Sequence, residues 1–248
     1  KHEEDLLWFC GIEAVKSDSV SSVVRRTKSF DIGGYYIIRG NESFGVVRCA
    51  KHKNRPGHAD MLHFDLWYKG VNVLVDLGSY SYNPLEERFR NYFSATRNHN
   101  TVIINNINQI KEGPRFLSLT WPEGLLKEFK VEKDRVLFSG YSIIFGNVHT
   151  RTIEYKDDCY VITDKIENKQ RGKINIKLNW NIGTEIERID ANEYRIIIDD
   201  ENSLILEISS TSKGNVQLYY GDENTPAGWR SLYYGEVKPV NQLVYEID

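Results

Sequence analysis

Methionine, cysteine and proline are scarce in this chain of 248 residues, at 1, 3 and 6 copies. The three cysteines, Cys10, Cys49 and Cys159, are odd in number and far apart, which excludes a disulfide framework or a zinc ribbon. No apolar run approaches the roughly 20 residues of a membrane helix, and no basic-then-apolar leader opens the chain, so no membrane span is expected. Charge of neither sign dominates. Lys and Arg number 32 against 35 Asp and Glu, a net −3, which offers nothing to attract nucleic acid or an anionic membrane. The only methionine is Met61, so residue 1 is expected to follow processing or excision from a longer protein. Any signal peptide, and any domain completing a site, would then lie upstream.

Apolar and aromatic residues are plentiful. The chain is 40% hydrophobic and 12% aromatic, with 15 Tyr, 10 Phe and 5 Trp, ample for a large core and incompatible with a disordered chain. The length exceeds the usual single domain, yet one all-β sandwich can use it.

Residues 3–11, Glu-Glu-Asp-Leu-Leu-Trp-Phe-Cys-Gly, predict a short helix with an acidic start and a glycine stop. The Ser-rich stretch 16–29 predicts a linker, so residues 1–29 form a junction and 30–248 the main domain. From Gly34 onward the texture is that of strands. Tyr35-Tyr36-Ile37-Ile38-Arg39 and Phe44-Gly45-Val46-Val47-Arg48-Cys49 flank a hairpin signal at Gly40-Asn41-Glu42. Residues 61–68 alternate, placing Leu62, Phe64 and Leu66 on one face and His63, Asp65 and Trp67 on the other. Lys69-Gly70 then turns the chain into Val73-Leu74-Val75-Asp76. Residues 80–99 have no clean period and predict a long ordered loop, a place where function concentrates. Beyond Asn100, short strands recur to the C-terminus, with turns at Lys156-Asp157-Asp158, Asp200-Glu201-Asn202 and Ser212-Lys213-Gly214. Steady short strands without helix-length patterns predict an all-β, two-layer antiparallel β-sandwich.

Candidate chemistry is confined to residues 50–105. Four of the six histidines, His52, His58, His63 and His99, fall there beside Asp60, Asp65 and Asp76. A transition-metal site needs imidazole and carboxylate donors converging at about 2.0–2.2 Å. His58 at a strand start, Asp76 at the end of the neighbouring hairpin strand and His99 at the start of a later strand fit that need. The spacing leaves open a surface histidine, a turn aspartate and a third, unrelated histidine. Tyr80 and Tyr82 stand out because a loop has no core face demanding aromatics, and tyrosine serves as acid or base near a cation. Arg88, Arg90 and Arg97, with Tyr92, either bind a carboxylate through guanidinium forks or form a solvated charged loop.

Three segments taken together resemble a known family. They are Arg55-Pro56-Gly57-His58-Ala59-Asp60, then Leu66-Trp67-Tyr68-Lys69-Gly70 with Val75-Asp76-Leu77-Gly78-Ser79-Tyr80, and then Tyr92-Phe93-Ser94-Ala95-Thr96-Arg97-Asn98-His99-Asn100-Thr101-Val102. The sequence is similar here to the C-terminal β-sheet domain of the heparinase II/III-like polysaccharide lyases. The resemblance implies a super-sandwich packed beside an N-terminal (α/α) toroid, with residues 1–29 as the junction, and a bacterial, periplasmic or exported setting. It implies β-elimination on uronic-acid-containing glycans such as the glycosaminoglycans, with zinc held by His58, Asp76 and His99. Tyr80, Tyr82 and Tyr92 are then expected at the catalytic cleft, and Arg97, Asn98 and His63 against an acidic polysaccharide.

Two departures stand against that expectation. Many members carry a catalytic histidine where this chain has Pro56, which can neither transfer a proton nor neutralise a carboxylate. His63 is no obvious substitute, because alternate strand positions face opposite sides. The toroid's Asn, His and Tyr groups are also missing, so the chain by itself is expected to have little or no activity. The alternative expectation is a non-catalytic glycan-binding or polysaccharide-assembly module with a structural metal.

Overall fold

The structure, a computed structural model, describes residues 25–114 and 117–247. The expected junction helix lies outside the described residues. The first strands are β1 (Lys28–Phe30), β2 (Tyr35–Arg39), β3 (Ser43–Arg48), β4 (Phe64–Tyr68), β5 (Val71–Leu74) and β6 (Val102–Ile104). Next come β7 (Gly124–Val131), β8 (Arg135–Ile144), β9 (Asn147–Lys156), β10 (Cys159–Glu167), β11 (Ile176–Ile182) and β12 (Ile186–Arg188). The last are β13 (Glu193–Ile197), β14 (Ser203–Glu207), β15 (Gly214–Tyr220), β16 (Trp229–Arg230), β17 (Lys238–Pro239) and β18 (Asn241–Ile247).

The fold is all-β, as the strand spacing predicts. A nine-stranded sheet runs β1-β2-β3-β4-β5-β11-β18-β15, with β6 also paired to β11, and every named pairing is antiparallel. A four-stranded sheet, β10-β9-β8-β7, and a three-stranded sheet, β12-β13-β14, pack with it, and β16 and β17 form a short pair of their own. One apolar core joins the three larger sheets. Ile38, Val47, Phe64, Val73, Trp180, Ile182 and Leu243 come from the large sheet, Phe138 and Ile153 from the second, and Tyr194 and Ile196 from the third. Alternation supplies these contacts, because successive strand residues face opposite sides.

The hairpin turns obey local chemistry. Lys69-Gly70, Phe145-Gly146 and Asp157-Asp158 each place two consecutive residues at positive φ, the twist-matched two-residue connection. Three strand expectations change. β1 begins inside the stretch read as linker. The edge strand β7 lacks the steady alternation expected of a strand, because its pairing shifts register between Leu126 and Glu128. The third change bears on the site: Leu62 has φ +62°, so the strand starts at Phe64 and the odd–even argument does not reach His63.

The segment between β5 and β6 is ordered by a core of its own. Val75, Leu77, Phe89, Tyr92, Phe93 and Val240 form it, and Tyr80 and Trp229 pack against it. The premise that a loop has no core face for aromatics is therefore corrected. Short 3-10 turns at Glu87–Phe89 and Thr96–Asn98 shape the segment. Among the described residues, no helix is long and apolar enough to cross a membrane.

Candidate metal centre

His58, Asp76 and His99 converge, with one potential ligand atom from each lying within 4.8 Å of the others. The route to this meeting differs in part from the strand-end reasoning. Asp76 does follow β5, but His58 sits in a loop before β4, anchored where the Ala59 N–H donates to Ser94 O at 2.8 Å. His99 follows the Thr96–Asn98 turn. His99 Nδ1 lies 2.8 Å from Asp76 Oδ2, and the Gly78 N–H donates to Asp76 Oδ1 at 2.7 Å. Gly78 has φ +79°, and a side chain there would strike Ser231 O at 2.0 Å, so only glycine permits this turn. His58 Nε2 is 3.1 Å from Ser79 Oγ.

His63, counted on the opposite face by simple alternation, stands beside the trio. Its ring is edge-on to His99, with centroids 5.6 Å apart, and its Nε2 is 3.8 Å from Asp76 Oδ2.

Electrostatics follow from burial and this crowding. Burial opposes ionisation of Asp76, but the charge and hydrogen bond of His99, His63 and the Gly78 N–H together hold its carboxyl well below the usual range. Burial lowers His99, and the facing Asp76 more than reverses this, leaving it raised. His58 is lowered by burial and by the neighbouring His99. Burial pushes His63 down to about 4, so it is neutral near pH 7.

The donors fit a borderline-soft divalent cation. Two imidazoles and one carboxylate are the donor types of zinc. His99 Nε2 is buried without a hydrogen-bond partner, an orphaned polar atom of the kind such a site leaves.

Other expected site residues fall in three environments. Tyr82 is 83% exposed, with its ring 6.4 Å from that of Tyr234, and Tyr80 is half-buried against Phe89 and Phe93. Tyr92 lies instead in the small core at 1% exposure, where its hydroxyl accepts the Trp229 N–H at 3.1 Å and burial pushes its phenol up to about 12. Arg97 is exposed. Asn98 is buried, its amide donating to Tyr92 O at 2.6 Å, so it shapes the loop from inside.

Sequence reasoning missed the residues that hold the site together. Asn100 is fully buried; its amide donates to Phe64 O and Val75 O, and its oxygen accepts the Asn181 N–H. It thereby ties His99 to β4, β11 and the end of the β5 hairpin. Its position beside His99 in a run of polar residues was the available signal. Arg151 of β9, equally buried, donates from Nη1 to both Leu62 O and Asn100 O. Alternation along β9 sets it on the same face as Ile153, so a charged residue in a core-facing position was the available signal. Arg230 of β16 donates to Asn72 Oδ1 at 2.9 Å and is close enough to feel the charges of Asp65 and Asp76.

With frame and centre in place, the family follows. The heparinase II/III-like, C-terminal family matches residues 23–248. The chain belongs to that family. Its similarity to the heparin-sulfate lyase of Bacteroides stercoris is 32% identity over a 160-residue alignment that covers 60% of this chain and 22% of that protein. A solved heparinase III gene product superposes with TM-score 0.77 at 19% identity, over 95% of this chain and 35% of that one. The heparan sulfate lyase HepC from Pedobacter heparinus gives 0.76 at 16%, over 94% and 36%. At these identities the two structures speak for the fold alone. The heparinase-like chain thus spans about a fifth of its curated relative and about a third of the solved chains.

Proposed function

We propose that this chain is the β-sheet domain of a polysaccharide lyase that cleaves uronic-acid-containing glycans by β-elimination. The observation that supports it most is the convergence of His58, Asp76 and His99 within a heparinase II/III-like frame. In this reading the three residues hold one zinc ion, which supplies positive charge to order the loops and to polarise an oxygen ligand. β-Elimination needs a base for the C5 proton, a group to neutralise the uronate, and an acid for the departing glycosidic oxygen. In this proposal Tyr82 and Tyr80, on the loop that begins at Asp76, touch substrate, and Arg97 offers a guanidinium to its carboxylates; the exposure of Tyr82 and Arg97 supports this. Tyr92 and Asn98 act from beneath by holding that loop in shape.

The remaining catalytic groups belong to an N-terminal toroid in the full-length protein, so the isolated chain is inactive in this proposal. One feature favours a second reading. Pro56 stands two residues before His58, where many family members place a catalytic histidine, and this suits a glycan-binding or assembly module with a structural metal. Incubating full-length protein with heparan sulfate, hyaluronan, chondroitin and alginate separates the two. Ultraviolet absorbance from the unsaturated product on at least one polymer supports the lyase. Binding with a flat trace on all four supports the module.

A further inference from the structure

His63 stands beside the trio, and its own hydrogen bonds decide what it can do there. The buried backbone N–H of Asn100 donates to His63 Nδ1 at 2.9 Å. A ring nitrogen that accepts carries no proton, so the neutral imidazole holds its proton on Nε2. A protonated ring nitrogen has no lone pair to give a cation. The arrangement is fixed from both flanks: Arg151 Nη1 donates to Leu62 O and to Asn100 O, and the Asn100 amide donates to Phe64 O and Val75 O. His63 Nε2 has no hydrogen-bond partner although it is buried, and it faces Asp76 Oδ2 at 3.8 Å.

We infer that His63 is a positioning residue whose Nε2–H orients the Asp76 carboxylate as a metal ligand, and that it is not itself a fourth ligand. Metal-bound carboxylates depend on the polar groups around them for their orientation, and at 3.8 Å the Nε2–H acts on Asp76 Oδ2 through its dipole, without a formed hydrogen bond. The inference rests on the metal reading of His58, Asp76 and His99. With His63 excluded, a fourth coordination position stays available to an exchangeable ligand such as water or a small anion, as in catalytic rather than closed structural sites.

Cobalt(II) titration of the purified protein, read by visible absorption with and without azide, tests this. Two variants discriminate. His63→Gln keeps an acceptor for Asn100 and an N–H donor, whereas His63→Leu keeps bulk and removes both. Wild type and His63→Gln are expected to give the same band shape with similar affinity. His63→Leu keeps that shape but binds about 10- to 100-fold more weakly. Azide shifts the band in all three. The inference is overturned if either variant shows the altered band of a site that has lost a nitrogen ligand. It is equally overturned if His63→Leu binds as tightly as wild type, or if azide leaves the wild-type band unmoved. Should His63→Leu fail to fold, as judged by a thermal melt of metal-free protein, the His63→Gln band and the azide response decide. No cobalt uptake by wild type removes the metal reading itself, and with it this inference.

Discussion

Arg151 and Asp164 form a two-pronged ion pair, Nε to Oδ1 and Nη2 to Oδ2 at 2.8 Å each, inside the second sheet. The remaining guanidinium nitrogen reaches across to Leu62 O and Asn100 O, next to His63 and His99. One side chain therefore satisfies a largely buried carboxylate and pins both site loops. Arg151→Met leaves the largely buried Asp164 without its guanidinium and takes a donor from Leu62 O and from Asn100 O, of which Asn100 O keeps the Phe64 N–H. A loss of about 3–5 kcal/mol is expected, a large part of a typical domain's stability. Urea unfolding measures it. Arg151→Lys recovers only a fraction, because an ammonium cannot reproduce the fork. A loss below about 1 kcal/mol would show that the pair is not structural.

Tyr92 and Tyr82 separate structure from substrate contact. Tyr92→Phe leaves the partly buried Trp229 N–H without its acceptor, so stability falls by about 1 kcal/mol. Turnover by full-length protein, measured well below its melting temperature, stays near wild type. Tyr82→Ala does the opposite: at 83% exposure its loss leaves the melting temperature within about 2 °C while weakening turnover. Parallel melts and glycan assays check both. The proposal for Tyr82 fails if turnover is untouched.

The contrast between these tyrosines shows which part of the molecule was legible in sequence. Strand alternation and turn chemistry exposed most of the sheets, since Lys69-Gly70 and Asp157-Asp158 write their φ requirement into residue type. His58, Asp76 and His99 were legible as donors of the right kind, but spacing could not reveal that a loop, rather than a strand end, delivers His58. Long-range contacts were hidden. Whether Tyr92 faces a cleft or a core depends on Trp229, 137 residues away, and Arg151 joins Leu62 across 89. One backbone angle at Leu62 reversed the side on which His63 was expected. No local pattern encodes such meetings.

Acid should destabilise the metal-free protein through its buried neutral histidines. Burial lowers His149 despite the carboxylate of Asp164 at 2.6 Å, and His63 is pushed down to about 4. In each case the folded pKa lies below the unfolded value of about 6.5, so between the two the unfolded chain binds the extra proton. Their contribution is complete above about pH 6.5 and is lost as pH falls. Asp164, held well below its usual range by Arg151 and His149 despite burial, extends the loss into stronger acid. His99 is raised, so its contribution has the opposite sign and fades as pH climbs. Urea midpoints at pH 7 and 5 should show lower stability at pH 5, with a smaller difference in His149→Gln. Equal differences would remove His149 from the account.

Metal content tests the centre directly. Protein purified without chelator should contain about one zinc per chain, since the donor set offers two imidazoles and one carboxylate at one point. His99→Ala removes an imidazole and also the partner of Asp76 Oδ2 at 2.8 Å, so zinc falls well below stoichiometric. Removing the metal should lower the melting temperature, because zinc that binds only the folded chain adds stability by mass action, about 2.7 kcal/mol at a free concentration 100-fold above Kd. The variant should melt near the chelated wild type and gain nothing from added zinc. Elemental analysis paired with melts in zinc and in chelator reads all of this. A wild type that carries no zinc and melts identically in both would leave His58, Asp76 and His99 as a hydrogen-bonded cluster without a cation.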